Sequence, residues 1–190
     1  MRHWNHYEVA FETFLRVRRI PFLAVEERRR ARLEDGSTLK NLDFVVSPSG
    51  RPSFLVDVKG RRFPGGGGYW KHWSTRDDLV GLRRWETLFG DRFSALFVFA
   101  YQICGNRSPV PVERLFSFRK RLYAFVAMPL STYLSEIRLL SPRWQTFAMP
   151  TRRFRELARP FEEFVMCDEL RVTSNELLMT NDDPFVTRHS

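Results

Sequence analysis

Between residues 42 and 59 the chain reads Leu42-Asp43-Phe44-Val45-Val46, a turn, and then Phe54-Leu55-Val56-Asp57-Val58-Lys59. Two carboxylates and one ammonium group thus stand inside otherwise apolar strand patterns. The intervening Ser47-Pro48-Ser49-Gly50-Arg51-Pro52 is a cluster of turn residues, so the stretch from about Lys40 to Lys59 reads as a β-hairpin. Centred on Gly50, the hairpin sets Asp43 opposite Asp57, Phe44 opposite Val56 and Val46 opposite Phe54. Side chains alternate along a strand, so Asp43, Asp57 and Lys59 share a face. Like charges directly opposite on a ribbon repel, and ionised groups are rarely buried without a partner. A divalent cation held between the two aspartates would remove the conflict, which points to metal-dependent phosphodiester chemistry.

The rest of the pattern alternates helices and strands. Val9, Phe11, Phe14, Leu15 and Val17 give one apolar side to a helix over Tyr7 to Arg18, which Ile20-Pro21 ends. Phe22 to Val25 suits a short strand, and Glu34-Asp35-Gly36-Ser37 a turn. Gly60 to Gly68 is the most flexible segment by composition. A second helix starts after Ser74 or Thr75, with Asp77 and Asp78 in its first turn. Leu79, Leu82, Trp85, Leu88 and Phe89 supply its apolar spacing, and Gly90 its end. Strands follow at Phe93 to Tyr101 and Arg121 to Met128. Helices are expected over Leu130 to Leu139 and over Arg152 to Val165, the latter interrupted by Pro160. Elements in this order make an α/β protein, a three-layer α/β/α sandwich around a central mixed sheet. We expect one domain over residues 1–172, with a core at 5–103 and a C-terminal extension at 104–172, and a flexible tail at 173–190.

Charge narrows the partners. The net charge of +9 and the isoelectric point near 10.2 favour a polyanion, nucleic acid before membrane. The basicity is almost all arginine, which a coding bias would also produce. Lysine occurs only at 40, 59, 71 and 120, so the lysine in Asp57-Val58-Lys59 is one of four. Cys104 and Cys167 are far apart and lack metal-ligand spacing, which suits reduced thiols in a cytoplasmic protein. No apolar run reaches membrane-spanning length, and the N-terminus has no apolar signal core.

Asp43 followed, after thirteen residues, by Asp57-Val58-Lys59 resembles the motif of the PD-(D/E)xK nuclease superfamily, the restriction endonuclease-like group that includes Holliday junction resolvases. The likeness spans about residues 5 to 103. It includes the family's order of helix, three-stranded meander, helix and strand. Many members carry a glutamate on the first helix, and Glu8 is the matching position. Leucine rather than proline precedes Asp43, and Asp57 stands where glutamate is commoner. The resemblance implies an Mg²⁺-dependent enzyme, with Mn²⁺ as a substitute, hydrolysing phosphodiester bonds in DNA as an endonuclease. Asp43 and Asp57 would supply carboxylate ligands and the Val58 main-chain carbonyl a further one. Glu8 would complete the shell or hold a second ion, and Lys59 would serve the water nucleophile. The products would be a 5′-phosphate and a 3′-hydroxyl, and such enzymes commonly act as homodimers.

Each of these residues has a plainer reading. Asp43, Asp57 and Lys59 could form a cross-strand ion pair on a solvated face, and Glu8 could be a surface residue. Residues 65–68 lack the phosphate-loop pattern and serve as a connection or a lid. Arg61, Arg62, Trp70, Lys71 and Trp73 suit backbone contact and base stacking, although the tryptophans could equally be core. Arg83 and Arg84 contact phosphate or are solvated. Gln102, at the end of its strand, is a possible neighbour of the site. Two other functions share the pattern: a catalytically inactive nucleic-acid-binding module on the same fold, and an RNA-directed nuclease.

Overall fold

The computed structural model describes residues 5–25, 31–32, 36, 38–64 and 70–166. Its first helix, α1 (His6–Val17), begins at Asn5, whose side chain accepts a hydrogen bond from the Tyr7 N–H. A helix of this length is marginal on its own. Here Ala10, Phe11, Phe14 and Leu15 are buried against the sheet, and each large side chain so buried contributes about 1.5–3 kcal/mol.

The strands are β1 (Phe22–Ala24), β2 (Ala31–Arg32), β3 (Thr38–Leu39), β4 (Phe44–Val46), β5 (Ser53–Phe63), β6 (Ser74–Thr75), β7 (Phe93–Ile103), β8 (Phe116–Phe118), β9 (Arg121–Pro129), β10 (Arg138–Ser141), β11 (Thr146–Ala148) and β12 (Arg159–Pro160). The main sheet runs β1-β4-β5-β7-β9-β12, with β8 also on β9. β5 and β7 are parallel and their neighbours antiparallel, so the sheet is mixed. β10, β11 and β6 form a three-stranded sheet, and β2 and β3 a two-stranded ribbon.

Strand alternation divides the core in two. Val56, Val58, Leu96, Val98 and Ala100 face α1. Leu55, Phe63, Phe97, Phe99 and Tyr101 face the opposite layer. That layer holds α2 (Arg76–Phe89), α3 (Leu130–Glu136) and α4 (Thr151–Leu157), and the short α5 (Glu162–Val165) lies on the α1 side. The architecture is the expected α/β/α sandwich.

Several boundaries differ from the sequence expectation. β5 continues through Phe63 in unbroken register with β7, so Gly60 to Phe63 is strand rather than the start of a flexible connection. Burial of Phe63 between Trp70 and Tyr101 holds that end down. Residues 65–68, and everything from 167 onward with the expected tail, lie outside the described residues. α3 stops at Glu136, because Arg138 to Ser141 pairs with β11. The expected helix over Arg152 to Val165 is two helices, since Pro160 has no N–H to donate to a helix and instead enters β12. The Phe161 N–H, one residue on, donates to the Phe125 carbonyl at 2.9 Å. Leu88 and Phe89, expected on the apolar side of α2, are 57% and 39% exposed in the helix's last turn.

Candidate functional site

The hairpin register matches the expectation at Phe44–Val56, Val45–Leu55 and Val46–Phe54. The ladder then breaks at Asp43, just before β4. The Asp43 N–H donates to the Val56 carbonyl at 2.9 Å, one residue out of register, and its carbonyl accepts from the Val25 N–H at 2.9 Å. Its side chain completes the pairing: the Val58 N–H donates to Asp43 Oδ2 at 2.6 Å. A carboxylate therefore takes the place of a strand carbonyl and is held rigidly beside β5.

On β5, Asp57, Lys59 and Arg61 point to the α2 side with Leu55 and Phe63. Asp57 and Lys59 are both buried. The Lys59 ammonium lies 2.5 Å from Asp57 Oδ2 and 3.0 Å from Asp78 Oδ1. The approach to Asp57 has ion-pair distance but not hydrogen-bond geometry, so the buried Oδ2 receives no hydrogen bond.

Asp78 is a residue whose role the sequence reading missed. It closes a reciprocal cap on α2: the Thr75 N–H donates to Asp78 Oδ2 at 2.8 Å, and the Asp78 N–H donates to Thr75 Oγ1 at 3.2 Å. Its other oxygen meets both Lys59 and Lys40. These two ammonium groups, with the Thr75 N–H, outweigh burial and hold the Asp78 carboxyl well below the usual carboxylate range. Lys40 is pushed up by the charges of Asp57 and Asp78 despite its burial. The scarcity of lysine and the Thr75-x-x-Asp78 spacing were the available signals.

Asp43 responds in the opposite sense. Burial first, then the charge of Asp57, push its carboxyl well up, and the Val58 N–H only partly offsets them. Glu8, in the first turn of α1, adds to the upward push, so its charge is felt at the site. Asp43, Asp57 and Asp78 against Lys59 and Lys40 leave the fully ionised cluster one negative charge in excess. The donor set is hard oxygen, the type that Mg²⁺ takes, and Mg²⁺ often uses only one or two protein carboxylates. The upward push on Asp43 and the Asp57 oxygen without a hydrogen bond fit a divalent cation as ligand partner. Among the described residues no three His, Cys, Asp or Glu side chains converge as a ready-made metal cage.

The remaining expected residues are dispersed. Arg61 follows Lys59 on the same face, and its guanidinium lies 4.2 Å from the Trp73 ring centre. Arg62 points to the α1 side, exposed, with its Nε–H 3.3 Å from Cys104 Sγ. Gln102 pairs in register with Arg62 and so lies on the α1 side, across the sheet from Asp57 and Lys59 rather than beside them. Trp70 packs edge-on against Phe63, Tyr101 and Phe154, which makes it part of the core wall. Lys71 is exposed. Arg83 and Arg84 are exposed on α2, Arg83 paired with Glu86 at 2.7 Å.

No protein-family model and no curated protein sequence matches the chain. In three dimensions it is similar to Hjc, a Holliday junction resolvase from the archaeal hyperthermophile Archaeoglobus fulgidus. The TM-score is 0.53 at 14% identity, over 85% of this chain and 98% of that one. A likeness at this identity is one of fold. The chain has the restriction endonuclease-like α/β/α fold.

Proposed function

We propose that this chain is a metal-dependent nuclease that hydrolyses DNA phosphodiester bonds internally. The observation that carries the reading is the half-buried Asp43 and buried Asp57, whose charges act on one another, with Lys59 alongside, on the fold of a resolvase. Asp43 and Asp57, with the Val58 carbonyl and Glu8 in support, would hold Mg²⁺ or Mn²⁺. When bound, the cation supplies an activated water nucleophile and stabilises charge developing at the phosphate. The chain's own part is positional. The Val58 N–H fixes Asp43, and Asp78 anchors the Lys59 ammonium beside Asp57. From there the ammonium can hold the attacking water and offset anionic charge as a compact point charge. Two copies would give one site per strand of a duplex.

A second reading has its own support. Lys59 already sits on Asp57, and the described residues hold no three-ligand cage, which suits a module that binds DNA without cutting it. A panel of labelled linear duplex, single strand, four-way junction and RNA, each with Mg²⁺, Mn²⁺ or EDTA, separates the two. We expect cutting of at least one DNA substrate with metal and none in EDTA. Asp57→Ala and Lys59→Ala, checked for folding by circular dichroism, should each slow it by about a hundredfold or more. Tight binding by the intact protein without cutting under every metal would favour the module. Cutting confined to RNA would reassign the substrate.

A further inference from the structure

A second recess lies beside the site, built largely by the chain beyond residue 104. Trp73, Thr75, Leu140, Ser141, Trp144 and Thr146 line a cleft of about 470 Å³. Trp144 is 68% exposed and Trp73 37%, although an indole in water is usually covered. Each ring carries an arginine: Arg61 at 4.2 Å from Trp73, and Arg143 at 5.2 Å from Trp144. No carboxylate lines the cleft, and its lining residues' polar side-chain groups are the hydroxyls of Thr75, Ser141 and Thr146 and the two indole N–H groups.

Arg61 indicates what the cleft lacks. Its guanidinium donates to the main-chain carbonyls of Gly60 and Trp73 at 2.8 and 2.6 Å. Its Nε is buried without a partner, and no carboxylate pairs with it among the described residues. Arg61 as a whole is only half-buried, and Asp57 and Asp78 act on it from beyond ion-pair distance, so the guanidinium remains able to meet an anion from outside. It is also the next residue after Lys59 on the same face of β5.

The cleft is mechanically tied to that face. Trp144 sits in the β10–β11 turn, where Gln145 has a φ of 44°. The Gln145 carbonyl accepts from the Arg76 N–H, the first residue of α2, at 2.9 Å. Thr146 and Phe147 pair with Thr75 and Ser74, directly before the capped turn that presents Asp78 to Lys59.

We propose that this cleft is a nucleotide subsite: an unpaired base stacks on Trp73 and Trp144, and its flanking phosphate meets Arg61. An aromatic recess edged by cations suits a planar group attached to an anion, and stacking on indole accepts any base. The inference deepens the nuclease reading by naming the substrate class, nucleic acid with an unpaired nucleotide next to the cut. The binding claim nevertheless stands or falls without catalysis.

The test is fluorescence anisotropy in EDTA with the full chain. The probes are a labelled single-stranded DNA oligonucleotide and the blunt duplex of the same sequence. Trp144→Ala should weaken single-strand binding about tenfold and change duplex binding less than twofold, and Trp144→Phe should recover most of the loss. Because Trp144 is largely exposed, both variants should keep the wild-type melting temperature, read by circular dichroism. Unchanged single-strand affinity in Trp144→Ala would overturn the subsite, as would an equal loss for both probes. If the variant instead shifts a monomer–dimer equilibrium in sedimentation while DNA affinity holds, the cleft is a self-association surface and the subsite falls. Metal-dependent cutting by the wild type is scored separately, so a protein that binds but never cuts sinks only the nuclease reading.

Discussion

Asp43 and Asp78 are acids of the same type that the fold treats in opposite ways. Asp43 has its carboxyl pushed up, so its favourable contribution to folding is full below the ordinary carboxylate range and is lost as pH rises through its folded-state value. Burial first, and the Asp57 charge second, therefore disfavour the ionised Asp43 carboxylate in the folded protein. Asp43→Asn keeps an acceptor for the Val58 N–H and removes the charge. We expect it to raise the metal-free melting temperature at pH 7 by a few degrees, with the gain shrinking toward pH 4 in a calorimetric pH series. Asp78 runs the other way. Its carboxyl is held down, so its stabilisation is present above the usual carboxylate value and is lost as pH falls through the depressed one. Asp78→Asn leaves the buried Lys59 and the half-exposed Lys40 without their shared partner. Breaking such a pair costs about 3 kcal/mol, which urea titration at pH 7 would read as a lower midpoint.

At the scale of elements, α1 meets β5 at Gly60, where no side chain fits. A Cβ there would overlap the ring of Tyr7. Gly60→Ala should destabilise by about 1–3 kcal/mol, and combining it with Tyr7→Ala should recover part of the loss, measured as denaturant midpoints at unchanged slope. The glycine looks like the start of a linker because composition cannot reveal a helix packed against a strand. The hairpin, by contrast, was legible, because Gly50 with its φ of 71° and alternating apolar residues leave one register that buries them. The break at Asp43 was not, since it depends on Val25 drawing the Asp43 carbonyl toward β1. Gln102 was misplaced by proximity along the strand, whereas parity, countable from Phe97, puts it on the other face. Trp144 was passed over because a turn between two short strands has no periodicity to find.

Over the whole molecule, the net charge of +9 makes strong salt dependence of nucleic-acid binding the expectation. If Arg61 meets one phosphate, Arg61→Ala should lower the log–log salt slope for single-stranded DNA by about 0.7, with affinities taken between 50 and 200 mM salt by anisotropy. An unchanged slope would mean that the excess charge acts elsewhere. β5 has eleven residues in continuous register with β7, and alternate residues recur on one face about every 6.6 Å. In the proposed complex this strand is a ruler. Asp57 marks the place of cutting and Arg61 the place of grip, about 13 Å apart, with a spacing set by main-chain geometry rather than by side-chain reach. One residue inserted between Lys59 and Arg61 would turn the gripping mark to the far face while the cutting mark stayed, leaving an enzyme that cuts without measuring.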